Sequence, residues 1–430
     1  MSNSQLTFRG IAPIHSPLSL YLGVDQFSPT FISSLKSVNL EFSTDDNGNQ
    51  VEMNWQGKVL HLGGQQNEVI QYQSTDDNSK DIRLMCWSPS KDSNVMFHVF
   101  ANHIAIAEVE FTVDITELST STGSVDSLIK VLESRVQNIA KEQITLHYED
   151  FCKDLKQLHS QLSKDFVFSG ESSADIGTWI ARTLILNDDD IQQESTAKIL
   201  TSWLKNTSRP QDAADIISGH KNYSMTWLNY AVKNAKAVGE DSNIQIMVLA
   251  QYYYVAQEHC NSALRGSIEA AYARVKKHKI DKVLANTRTA CRLNQIAFYE
   301  NIKFLNRPNR ALLENILNGW QFEQLVENSD RMIEICNARL QEEDNKKRER
   351  STIMTDFLLV ALSFFAVFEL SLYLTEFSRE MMSRPALDYN DSKSSYFLGL
   401  IAEIDADIMF SFGFGLTLLL IIVYRYIKRN

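Results

Sequence analysis

The chain has 430 residues, 44% of them hydrophobic, with only 7 Pro and 16 Gly, which allows a sizeable core and excludes a disordered or collagen-like chain. A formal charge of -11 argues against coating nucleic acid, since neutralising phosphates needs a basic surface, so no direct DNA or RNA binding is expected. The five cysteines (Cys86, Cys152, Cys260, Cys291, Cys336) are scattered and form no Cys-x-x-Cys pair, which points to reduced thiols rather than a disulfide framework or a zinc knuckle.

The first ten residues are polar and lack the apolar stretch of a secretory signal, so the body is expected in the cytoplasm. Residues 1–120 read as a β-rich N-terminal part, with the strand signal between 16 and 115. Val51, Met53 and Trp55 alternate with polar residues, and Ile82 to Trp87 is a short apolar strand. Val95–Phe100 and Ile104–Val113 suit a hairpin around Ala101-Asn102-His103. The apolar phase changes between Ile106 and Val109, which predicts a bulge there. Residues 121–310 read as a helical cytosolic domain. Leu128, Leu132, Val136 and Ile139 recur at helical spacing, and breaks are expected at Phe168-Ser169-Gly170, Ser208-Arg209-Pro210, Gly239-Glu240-Asp241 and Arg307-Pro308-Asn309. The fold class is thus an α+β cytosolic domain, a long stalk helix and two C-terminal transmembrane helices.

Between Trp320 and Phe377 there is neither Gly nor Pro, so nothing in the sequence stops a helix at the membrane surface. Unbroken, it would be roughly 85 Å long. Phe322, Leu325, Ser329, Met332 and Cys336 form a stripe on its cytosolic half, which suits packing on its own domain or on a neighbouring subunit. A mean hydropathy of -0.22 hides two apolar segments, Phe357–Leu374 and Ile408–Tyr424, each near the ~20 residues a spanning helix needs. The assignment is a stalk over 311–353, spans over 354–377 and 404–427, an outer loop over 378–403, and a tail over 428–430. Lys346, Lys347, Arg348 and Arg350 precede the first span, and Arg425, Lys428 and Arg429 close the second, which places both termini inside.

The motifs of nucleotide-cleaving, hydride-transferring, metalloprotease and serine-hydrolase enzymes are absent, and the chain reads as a non-enzyme. Asp188-Asp189-Asp190 could supply oxygens to a divalent cation, but reads first as the charged start of a helix. One basic stretch carries the ligand-binding candidates Arg274, Lys276, Lys277, Lys279 and Arg288, which could neutralise an anion such as a nucleotide or form a solvated helix face. Tyr252, Tyr253, Tyr254 and Tyr272 nearby suit base stacking or core packing equally. Within the first span Glu369 is the main candidate, because a carboxylate in a membrane usually faces a bundle interior or water. Glu376 lies in nearly the same helical direction, with Phe365 and Leu358. An opposite stripe holds Ser371, Val367, Phe364, Val360 and Asp356, and either could line a pore. In the second span, Ser411 with Gly415 and Gly413 with Thr417 form two lines of small residues that suit close helix packing.

This arrangement of α/β body, stalk, span, outer loop, span and basic tail resembles the CorA family of two-span cation channels, in outline over the whole chain and most specifically over 320–430. That family carries Tyr-Gly-Met-Asn, commonly followed by Phe, at the outer end of its first span. The slot here reads Tyr373-Leu374-Thr375-Glu376-Phe377, which keeps the Tyr and Phe and replaces the Asn by Glu376. The resemblance implies a homo-oligomer, pentameric or tetrameric, in a bacterial inner membrane, with pore candidates Glu369, Glu376, Tyr373, Ser371 and Asp356. A divalent cation such as magnesium, or a signalling nucleotide, would be the bound species. Divergent members include membrane effectors of type III CRISPR antiviral defence, so a nucleotide-gated pore is the leading expectation. A magnesium transporter with an altered mouth and a non-conducting scaffold are the alternatives.

Overall fold

The computed structural model describes residues 5–21, 24, 28, 30, 31, 34, 82–89, 93–116, 124–169, 179–205, 207, 209–225, 228–273, 277–383, 400, 403, 404 and 406–429. The alternation at Val51, Met53 and Trp55 and most of the outer loop lie outside them. The chain divides into two compact units, Met1–Cys336 and Asn337–Asn430.

In the first unit an eight-stranded sheet is built on one long strand, β1 (Gln5–Leu20). β4 (Asn102–Asp114) runs antiparallel along one side of it, followed outward by β3 (Val95–Val99) and β2 (Met85–Trp87). On the other side, β6 (Ala181–Leu186) pairs with Thr7–Ile11 and β5 (Phe166–Phe168) with Leu18–Leu20. β8 (Asn229–Lys233) continues parallel to β6, and β7 (Tyr223–Met225) closes that edge. Pro13 and Pro17 fall in the interval of β1 that neither β6 nor β5 covers, so a missing N–H there interrupts no ladder on that side. The expected hairpin forms, with His103 at φ 63 in its turn. The expected bulge does not fall between Ile106 and Val109, where β4 keeps register with β1 and β3. The register shifts in β1 instead, between His15 and Ser19. The phase change in β4 has another cause, since helices cover both faces and Glu108 is buried in a polar network.

α1 (Val125–Gln161), capped by Ser124, lies on one face with α3 (Glu194–Trp203) and α4 (Asp212–Ile217). Gly10 lets β1 approach α1, because a Cβ there would come within 2.7 Å of Ala140 Cβ. The opposite face packs on α5 (Ser242–Tyr272) and α7 (Arg307–Gly319), with Ile11, Ile104, Ile106, Tyr230 and Val232 against Ile244, Val248, Leu313 and Ile316. The sheet is therefore a middle layer. β5 to β8 come from the segment expected to be helical, and each is only 3 to 6 residues long. α2 (Asp188–Ile191) is the acidic run, with Asn187 at its N-cap and Asp190 accepting the Asn187 N–H at 3.0 Å. The break expected at Arg307-Pro308-Asn309 is present, since one helix ends at Asn301 with a 3-10 turn to Phe304 and α7 starts at Arg307, capped by Asn306 with Pro tolerated in its first turn.

The segment 311–353 is not one helix. α7 ends at Gly319, and after Gln321, at φ 56, α8 begins (Phe322–Ser383), unbroken for 62 residues. Its start packs on its own body, where Phe322, Ser329, Ile333 and Cys336 are buried, Asn261 Nδ2 donates to Leu325 O at 3.0 Å, and Arg292 pairs with Asp330 at 2.7 Å. The stripe over 322–336 is thus filled from within the chain. Before α8 comes α6 (Lys277–Asn301), and the last helix is α9 (Ala406–Arg429).

Candidate functional site

The second unit carries the apolar length of α8. Among the described residues, α8 is the one helix long and apolar enough to cross a membrane, and none of its most apolar window is buried. The apolar helix Asp407–Leu419, within α9, is shorter than that measure. Phe357 is 71% and Phe365 64% exposed, an arrangement that water would penalise and lipid or a neighbouring chain would stabilise. The hydroxyls of this segment need no water. Ser363, Ser371 and Ser378 donate to the carbonyls four residues earlier at 2.7 to 2.8 Å, and Thr417 does the same to Gly413.

α8 and α9 form a hairpin with an aromatic and small-residue seam. Phe364 meets Phe410 and Phe414 edge to face, with ring centroids 6.2 and 5.9 Å apart, and Phe368 meets Phe410 at 5.1 Å. A Cβ on Gly413 would come within 3.2 Å of Val367 Cγ1 and 3.7 Å of Ser371 Oγ, whereas one on Gly415 would meet nothing. Thr417 is buried on the Gly413 line, so that line makes the contact and the Ser411–Gly415 line does not.

This packing separates the two stripes. Ser371, Val367 and Phe364 pack on α9 at the seam, and Asp356 at the head of that stripe is half-buried. Glu369, Glu376, Phe365 and Leu358 are exposed, and Tyr373 is 66% exposed. The slot from Tyr373 to Phe377 lies inside α8, which continues to Ser383 because no Gly or Pro intervenes before Pro385.

Among the basic candidates, Arg274 and Lys276 lie outside the described residues. Lys277 and Lys279 fall in the first turn of α6, and Arg288 is half-buried further along it. Tyr252, Tyr253 and Tyr254 serve the core, while Tyr272 is 59% exposed. Tyr252 stacks on Phe100 at 3.8 Å, Tyr253 meets Phe298 at 4.7 Å, and Tyr254 lies edge to face with Trp320 at 5.6 Å.

Two features join residues too far apart in sequence for spacing to reveal. The first is a buried ion network between the sheet and the start of α5. Arg9 donates to Glu108 at 3.0 Å, to Glu110, and to Lys236 O at 2.7 Å. Glu108 also accepts from the Gly239 N–H at 3.1 Å and from Gln245 at 3.2 Å, and it lies 3.0 Å from His98 Nε2. His98 Nδ1 lies 3.3 Å from Cys86 Sγ and 3.2 Å from Arg83. Burial alone would raise the Glu108 pKa, but the hydrogen bond from His98 and the charge of Arg9 outweigh it and hold the carboxyl at about 2. Burial likewise opposes charge on His98, yet the contact with Cys86 and the hydrogen bond to Glu108 push it up to about 8. Cys86, His98 and Glu108 have the order of a nucleophile relay, but each is at most 2% exposed, so no substrate reaches the sulfur and the group reads as a structural lock. The second feature is a cavity of about 630 Å³ lined by residues of β7 and α7. The described residues hold no cluster of three or more His, Cys, Asp or Glu able to bind a metal ion.

No protein-family model matches the chain, and no curated protein or solved structure shows significant similarity to it.

Proposed function

We propose that this chain is a CorA-like membrane protein whose copies assemble around a cation pore, gated by a ligand bound to the cytosolic body. The observation that carries the reading is α8, which leaves a folded α/β layer structure and continues unbroken into an apolar segment of which no part of the most apolar window is buried. Such a surface needs lipid and partner helices. With α9 already on the Ser371 stripe, the exposed Glu369–Glu376 face is left for the other copies and the pore they enclose. A ring of carboxylates there would concentrate cations. α9 is the second span, both termini face the cytoplasm, and the membrane is a bacterial inner membrane. α6 supports assembly as well, since Val283, Leu293, Ile296 and Tyr299 are all about half exposed and neighbouring copies would cover them. Opening requires a ligand that binds the open arrangement more tightly than the closed one. An antiviral effector controlled by a nucleotide signal fits this device. The replaced family motif at Glu376 favours it over a dedicated magnesium transporter.

Reconstitution in liposomes tests the reading. Cation efflux that rises with ATP or another nucleotide, and falls in Glu369→Gln or Glu376→Gln at equal protein content, is expected. Magnesium flux independent of nucleotide would favour the transporter, and absence of flux under every condition would favour a scaffold.

A further inference from the structure

The cavity at the β7 edge of the sheet gives the first unit a binding site. Its volume of about 630 Å³ is within the range of small-molecule sites. Its lining includes Arg209 from the connection between α3 and α4, His220 and Lys221 from the connection between α4 and β7, and Asp212 of α4. α7 adds Asn315 and Asn318, three residues apart on one side of the helix and both exposed. Tyr223 of β7 is in the lining as well.

These groups differ in what they are already doing. Lys221 is anchored, paired with buried Asp212 and with Asp215 at 3.0 Å, and so holds the wall in place. The Arg209 guanidinium has no acidic partner among the described residues, although the chain carries 53 acidic residues against 42 Lys and Arg. His220 engages Ser218 Oγ through Nδ1 at 2.6 Å, which leaves Nε2 for another acceptor. The carboxamides of Asn315 and Asn318 and the Tyr223 hydroxyl make no protein hydrogen bond among the described residues. The lining therefore holds a guanidinium without an acidic partner, an imidazole, amides able both to donate and to accept, and an aromatic ring.

We infer that this cavity binds a small phosphorylated molecule, its phosphoryl group held by Arg209 and His220 on a loop that Lys221 anchors, and its hydrogen-bonding edge read by Asn315 and Asn318. The site lies on α7, not on the basic stretch of α6. Its use in gating rests on the function proposed above. Gly319, also in the lining, is separated from the first residue of α8 by only Trp320 and Gln321, so a ligand that draws α7 toward Lys221 pulls on the origin of the pore helix.

Calorimetric titration of the full chain in detergent with pyrophosphate, ATP and, as a carboxylate comparison, citrate tests the site. Saturable binding of pyrophosphate or ATP is expected, with citrate weaker by about tenfold or more. Arg209→Glu and Asn318→Asp, both at exposed positions that leave the core untouched, should each weaken binding by about tenfold, while Arg288→Glu on α6 leaves it unchanged. The inference is overturned if neither phosphate probe binds, if citrate binds as tightly as pyrophosphate, or if Arg209→Glu and Asn318→Asp both bind like the parent. Loss of binding only in Arg288→Glu overturns it too and moves the site to α6. Liposome flux fails separately, because phosphate binding at the cavity with no flux rejects the pore and keeps the site.

Discussion

His98 and Glu108 meet 3.0 Å apart with neither side chain exposed, and each stabilises the charge on the other. The consequences for pH follow from the direction of each shift. His98 is raised from 6.5 to about 8, so its contribution to stability is complete below about pH 6.5 and is lost as pH rises through about 8. Glu108 is lowered from 4.5 to about 2, so its contribution is complete above about pH 4.5 and is lost as pH falls through about 2. Asp154, which accepts from Trp87 at 2.8 Å, is pushed up to about 6 by burial and has lost its contribution by about pH 6.5. The alkaline limb thus belongs to His98. The thermal midpoint should decline between pH 6.5 and 8.5, and His98→Asn should flatten that decline; an identical slope in the variant would contradict the assignment. Glu108→Ala removes the carboxylate shared by buried Arg9 and His98, leaving Arg9 only Glu110 and Lys236 O and leaving His98 without its carboxylate partner, and should cost about 3 to 5 kcal/mol by denaturant unfolding. A cost below about 1 kcal/mol would mean that water or another group replaces the carboxylate.

At the scale of the element, the seam between α8 and α9 turns on one glycine. Gly413→Leu forces a side chain against Val367 and should destabilise the detergent-solubilised protein by about 1 to 3 kcal/mol, while Gly415→Leu should leave the thermal midpoint nearly unchanged. Equal effects would place the seam elsewhere. The sequence could anticipate this hairpin because its signals are local: apolar length, small residues four apart, and no helix breaker before Pro385. It could not say which line of small residues faces α8, since Gly413–Thr417 and Ser411–Gly415 have the same spacing. β1 was hidden over its first half for a different reason. A strand covered on both faces shows no alternation, and Pro13 and Pro17 argue against a strand until the gap between β6 and β5 is known. β5 to β8 are too short for periodicity to register against their helical surroundings. Glu369 and Glu376 stand out in the sequence because a carboxylate in an apolar run is visible by itself. Arg9 with Glu108, 99 residues apart, and Arg209 with Asn318 do not, because only the tertiary fold brings them into one network or one cavity, and the register of β3 on β4 that sets His98 beside Glu108 is not readable from spacing.

At the scale of the whole molecule, the chain combines a sheet covered by helices on both faces with a helix whose apolar length is covered by α9 along one stripe only. Neither part alone points to a pore. The proposal of one rests on the distribution of charge on α8, where one stripe packs on α9 and the other carries Glu369 and Glu376 into the apolar segment. A carboxylate held in lipid is costly, so the proposal turns that second stripe toward neighbouring copies and water. Oxidative cross-linking in native membranes tests this most directly, with Glu376→Cys or Leu370→Cys placed one at a time in a chain whose own cysteines are replaced by serine or alanine; Leu370, 66% exposed, lies on neither the glutamate stripe nor the seam with α9. A disulfide-linked dimer from Glu376→Cys, and none from Leu370→Cys, is the result expected of a glutamate face turned toward the axis of an oligomer. Dimers from Leu370→Cys alone, or monomers from both, would contradict it.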